Sequence, residues 1–162
     1  MSPHQKPDPL RGAIAGLAAG LVASLAMDLA QRALAKVQPQ DDQESEPATE
    51  KAADRIFKAA SGSPVPEGSK PIAGQTIHYA FGALLGVGYG IAAEYDENIT
   101  AGAGSIFGAG SAILFDEAAV PAAGLAETPW EASPSTHLYS LVSHLIFGTI
   151  AEGTRRLIRK RI

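Results

Sequence analysis

Charge is missing from four stretches of this chain, residues 12–27, 71–93, 98–115 and 132–151, none of which contains Asp, Glu, Lys or Arg. The hydrocarbon core of a bilayer takes roughly 20 apolar residues of helix, within a range of about 17–25. The last three stretches reach that length as they stand. The first reaches it by running through Asp28 to Leu29 and Ala30, with Arg32 and Lys36 snorkelling to the interface. The mean hydropathy is only +0.05, because the charge is concentrated between the stretches. A soluble helical protein with a small-residue core is the alternative. Its helices would need a polar face every third or fourth residue, and Ile72 to Ala93 offers only Gln75, Thr76, His78 and two tyrosines.

The expected fold is therefore all-α, a bundle of four transmembrane helices at about 11–36, 71–94, 98–120 and 134–156, in one membrane domain over 1–162. A polar extracytoplasmic loop, 37–70, follows the first span. Within it, 38–48 reads as an acidic connector and Thr49 to Ala60 as a short amphipathic helix. That helix sets Ala52, Ala53, Ile56, Phe57 and Ala60 opposite Glu50, Lys51, Asp54 and Lys58, and Gly62 stops it. A second reading makes residues 1–27 a signal peptide cut after Ser24-Leu25-Ala26, but the helical pattern continues to about Val37. Lys6 and Arg11 at one end and Arg155, Arg156, Arg159, Lys160 and Arg161 at the other place both termini in the cytoplasm, whereas the Glu94–Glu97 turn carries no Lys or Arg. Trp130 and Tyr139 suit an interfacial belt.

With no cysteine, thiolate metal sites and disulfides are excluded. A net charge of −4 and a short basic tail give no footing for nucleic acid, and the tail reads as a membrane-edge anchor. Enzyme motifs are missing: Gly102 to Gly108 lies inside a hydrophobic span rather than after a strand, and Ser143-His144 has no positioned triad. The chain is expected to be non-catalytic.

Small or polar residues recur at every fourth position in each span: Gly12, Gly16, Gly20, Ser24, Asp28; Gly74, His78, Gly82, Gly86, Gly90, Glu94; Gly104, Gly108, Ala112, Asp116; Ser140, His144, Gly148, Glu152. Such GxxxG rows carve flat grooves that admit a second backbone. The rows also align as a 2+2 repeat, Ala13–Asp28 with Ala101–Asp116 and His78–Gly82 with His144–Gly148. Rows facing outward would dock partner helices of a homo-oligomer or larger complex; rows facing inward would argue against that.

Ionisable groups inside a bilayer are costly and need partners. Counting depth at roughly 1.5 Å per residue gathers Asp28, His78, Asp116 and His144 in the outer half, with Glu117 beside them. Four readings stand: interhelical hydrogen bonds that only hold the bundle, a proton or ion pathway, a divalent metal held by Asp28, His78, Asp116 and His144, and haem held axially by His78 and His144. No cofactor is required by any motif.

The run Ile77-His78-Tyr79-Ala80-Phe81-Gly82 through Gly90, then Ala101–Gly104, Asp116-Glu117 with Pro121, Ser135–Tyr139, Ser143-His144 and Phe147-Gly148 resembles the YagU-like bacterial inner-membrane proteins. The likeness is best over 72–155, weaker in the first span and absent from the first loop. It implies a multi-pass inner-membrane location and a shared pattern of His78, Asp116, Glu117, His137 and His144, without a role for them. Two functions follow as expectations: an accessory or packing subunit of a membrane assembly, or a transporter-like or stress-related protein that handles protons or ions at the Asp/His cluster.

Overall fold

The computed structural model describes residues 6–36 and 46–162. Most of the acidic connector expected at 38–48 lies outside them. Helix α1, Pro9–Leu34, opens at Asp8, whose carboxylate accepts the Arg11 N–H at 3.0 Å, with Pro9 in the first turn where its missing N–H costs nothing. Helix α2, Ala48–Ser61, is the amphipathic helix. A short 3-10 turn, Glu67–Ser69, leads into α3, Lys70–Tyr95. After a second 3-10 stretch, Glu97–Gly104, come α4, Ser105–Ser111, a π-helix, Ala112–Ala119, and the last turn α5, Val120–Ala122. Helix α6, Pro134–Arg159, starts at Ser133, whose hydroxyl accepts the Thr136 N–H, again with proline in the first turn.

Among the described residues the structure is helical throughout, and three helical stretches are long and apolar enough to cross a membrane: Pro9–Leu34, Glu67–Tyr95 and Glu97–Ala122. Helix α6 is as long but less apolar, since its first half carries Ser135, Thr136, His137, Ser140, Ser143 and His144 and its end three arginines. The third span, expected at 98–120, falls within Glu97–Ala122, but its start is irregular. Ala101, Gly102 and Ala103 leave helical geometry, and Gly102, Ala103 and Gly104 take φ of 62°, 55° and 88°. Glycine adopts this left-handed backbone without penalty, whereas Ala103 carries a cost that its neighbours must offset.

The glycine rows face inward. A Cβ on Gly12 would lie 2.6 Å from the Gly90 carbonyl oxygen, and Cβ atoms on Gly16 and Gly20 would overlap the carbonyls of Gly86 and Gly82. Helices α1 and α3 thus touch backbone to backbone. Gly104 and Gly108 meet α6 likewise, at Gly148 and His144. Relative to the sequence alignment of the two halves, this second interlock is offset by one turn: Gly16 meets Gly86, but Gly104 meets Gly148, the counterpart of Gly82.

Helix α1 also packs on α6, where Ala19, Ala23 and Met27 close over Phe147 and Ala151. Helix α3 reaches the third helical stretch through rings, Phe81 against Phe115 edge-on at 4.8 Å and Tyr89 stacked on Phe107 at 4.3 Å. Large apolar residues such as Leu84, Ile106 and Ile113 point outward, while glycine, alanine and serine, with Met27, Phe147, His144 and Glu152, fill the interior. That inversion suits a lipid solvent.

On the expected apolar face of α2 only Ala53 is buried; Ile56 and Phe57 stay exposed. Its amino end sits on Gly74, where a Cβ would meet Glu50 Cγ at 2.6 Å. Its Arg55 donates to the carbonyls of Ala123 and Gly124, so α2 crosses from α3 to the end of α5. Gly62 closes α2 at φ 79°. Gly62→Ala is expected to cost about 1–2 kcal/mol through that left-handed backbone. Gly68→Ala, where φ is not left-handed and a Cβ meets nothing within 4 Å, should be close to neutral in the same thermal unfolding measurement.

Candidate functional site

The π-helix is where the chemistry collects. Its wider i→i+5 turn is a geometry found mostly as short bulges at functional sites, and it presents two consecutive carboxylates, Asp116 and Glu117, towards α6. On α6, His137, Ser140 and His144 recur at spacings of three and four and so share one face. The Ser140 hydroxyl donates to Asp116 Oδ2 at 2.5 Å. His144 Nδ1 lies 3.1 Å from the Ser140 carbonyl oxygen and 3.4 Å from Asp116 Oδ2. Both neighbours accept, so Nδ1 carries the proton.

His137 is placed differently. Its Nε2 lies 3.0 Å from the Pro129 carbonyl oxygen and its Nδ1 2.7 Å from Glu117 Oε1. A carbonyl can only accept, so Nε2 must donate. Nδ1 then faces a carboxylate, and that contact needs a proton of its own, on the imidazole or on Glu117. The pair therefore stores one proton more than a neutral ring beside an ionised carboxylate would.

The other expected members of the cluster are partnered elsewhere. Asp28 binds Arg32 one turn along α1, at 3.2 Å to Nε and 3.0 Å to Nη2. His78 Nε2 lies 3.4 Å from the Ser24 carbonyl oxygen, and its ring meets Tyr79 edge-on. Among the described residues no group of three or more His, Asp or Glu is placed to hold a metal ion, so Asp28, His78, Asp116 and His144 do not form one site. The hydroxyls of Ser24 and Ser143 are buried without a hydrogen-bond partner.

A second polar network closes the other end of the bundle. Glu152, 1% exposed, takes Arg155 Nε at 2.7 Å, Arg155 Nη2 at 2.9 Å, Arg156 and the Tyr89 hydroxyl at 2.8 Å. Glu94 is gripped by Arg159 at 2.6 and 2.9 Å and accepts the Asp8 backbone N–H at 3.0 Å. The spacing of Glu152 to Arg155 and Arg156 was the signal available in the sequence. These bonds gather the start of α1 and the ends of α3 and α6 at one face. Between the two networks lie Phe107 and Phe147, 6.2 Å apart, with the Tyr89 ring stacked on Phe107. His144 and Glu152 are eight residues apart on α6, roughly 12 Å at 1.5 Å per residue.

Residues 61–152 match the family model described as "Protein of unknown function (DUF1440)". No curated protein and no solved structure matches the chain.

Proposed function

Since the chain belongs to the DUF1440 family of proteins of unknown function, we propose a function from its geometry: it is a small inner-membrane protein that takes up and releases protons, or ions coupled to them, at the Glu117–His137 and Asp116–His144 pairs. The observation that carries this reading is the His137 imidazole held between the Pro129 carbonyl and the Glu117 carboxylate, a contact that requires a stored proton. Asp116, Ser140 and His144 form a second set of donors and acceptors one to two turns further along α6. Histidine changes charge near neutral pH, which makes such a pair a proton exchanger in the physiological range.

In this reading α6 is a fourth span, its polar face turned to the other helices and its arginines at the cytoplasmic edge, so both termini are cytoplasmic and the proton pairs lie towards the outside. The likeness to YagU-like proteins and the arginines gathered at one end support that siting. The rival, an accessory subunit docking partners through glycine grooves, has lost those grooves to the chain's own packing.

The test is proton movement into vesicles carrying the purified protein and a trapped pH dye. An acid step outside should acidify wild-type vesicles faster than vesicles with Asp116→Asn/Glu117→Gln, by about a hundredfold, the scale on which a positioned proton acceptor acts. Equal rates for wild type, variant and protein-free vesicles would refute proton handling and return the accessory-subunit reading.

A further inference from the structure

Beyond proton handling, we infer that the groove between α1 and α3 on the lipid-facing side is a binding site for one phospholipid, its phosphate on Arg32 and an acyl chain laid along Leu21, Ala80 and Ala83. The groove has a volume of about 670 Å³, within the roughly 300–1,000 Å³ of small-ligand sites. Its polarity runs along its length. Arg32, Gln75, Thr76 and Tyr79 line one end together with the apolar Pro71 and Ile72, and only Leu21, Ala80 and Ala83 line the other. From Arg32 to Leu21 is eleven residues of α1, about 16 Å at 1.5 Å per residue. One leaflet of a hydrocarbon core roughly 30 Å thick is about as deep. A largely apolar groove, one leaflet deep, with a cation and a few polar side chains at one end only, has the dimensions and polarity of a lipid.

The cation is prepared for an anion. Asp28 takes Arg32 Nε and one Nη2 hydrogen, which fixes the guanidinium plane. A guanidinium has five N–H donors, and those not used by Asp28 have no other partner among the described residues. Arg32 is 68% exposed against 15% for Asp28, so the free donors face outward and the carboxylate stands behind them. Planar, bidentate recognition of phosphate is what arginine does better than lysine. Asp28, charged and at the edge of an apolar span, is thereby a positioning residue for Arg32.

The experiment is native mass spectrometry of the full chain in mild detergent, titrated with phosphatidylglycerol, with diacylglycerol of the same chains as the phosphate-free control. Wild type should hold one phosphatidylglycerol and bind diacylglycerol about tenfold more weakly, the scale of a hydrogen bond to a charged group. Arg32→Gln should lower phosphatidylglycerol affinity by about the same factor. Ala80→Phe, on an exposed position that accepts a larger side chain, should block the chain without touching the cation. Lys36→Gln removes a neighbouring charge outside the groove and should change nothing. Equal losses from Lys36→Gln and Arg32→Gln, unchanged binding in Ala80→Phe, diacylglycerol binding as tightly as phosphatidylglycerol, or displacement of the lipid by inorganic phosphate alone would each overturn the site. None of these readouts depends on proton movement.

Discussion

Replacing Glu152 with alanine is expected to lower the stability of this protein by about 3–5 kcal/mol, the cost of removing one partner from a buried ion pair. The loss comes less from the attraction given up than from what stays behind. Arg155, whose side chain is 10% exposed, would keep its charge with no carboxylate, and the Tyr89 hydroxyl would lose its acceptor. Replacing both ends tests that account. Glu152→Leu with Arg155→Leu removes the pair together with its desolvation cost, and exchange of a whole buried pair for apolar groups is often neutral. Thermal unfolding in detergent should therefore place the double variant well above Glu152→Ala. A double variant as unstable as the single one would show that the network contributes by its attraction and not by leaving no charge unpaired.

The second large effect concerns backbone contact. A Cβ on Gly86 would overlap the Gly16 carbonyl and approach Gly20 Cα at 2.7 Å. Gly86→Val must therefore push two helices apart, because no side chain stands in the way to yield. Overpacking a core costs typically 1–3 kcal/mol where side chains can give. Here the obstruction is main chain, and the expected loss is at or above about 3 kcal/mol on that scale. Gly88→Val, two residues along the same helix, meets nothing within 4 Å and should leave the unfolding midpoint within a degree or two, since surface changes of this kind are usually within about 0.5 kcal/mol. Equal destabilisation at both positions would mean that valine acts through helix propensity and not through the glycine interlock.

Much of the helical layout was written in the placement of charge. The expected spans 11–36, 71–94 and 134–156 correspond to helices Pro9–Leu34, Lys70–Tyr95 and Pro134–Arg159, and the amphipathic helix expected over 49–60 to Ala48–Ser61. The third span was legible at its end but not at its start. Hydropathy sees Asn98 to Gly104 as apolar and cannot see that Gly102 and Gly104 take left-handed backbone. Nor could it see the π-helix, whose wider turn decides which histidine each of Asp116 and Glu117 meets. Depth counting put Asp28 among the histidines, whereas an arginine one turn away on its own helix binds it first. The inward direction of the glycine rows needed coordinates as well, because an apolar residue suits a lipid-facing position as well as a packed one.

The aromatic layer of Phe107, Phe147 and the Tyr89 ring also has an electrical consequence. A voltage across a membrane falls mainly where no mobile charge or polar group can screen it. With α6 as the proposed fourth span, that is the roughly 12 Å of helix between His144 and Glu152, with ionised or hydrogen-bonded groups on either side. In the proposed function and siting, a proton exchanged between the outside and Glu117 travels through little of the field. One carried past the aromatic layer travels through most of it, at up to about 2.3 kcal/mol per 100 mV. Loading from outside should thus be nearly indifferent to membrane potential, and crossing should depend on it steeply.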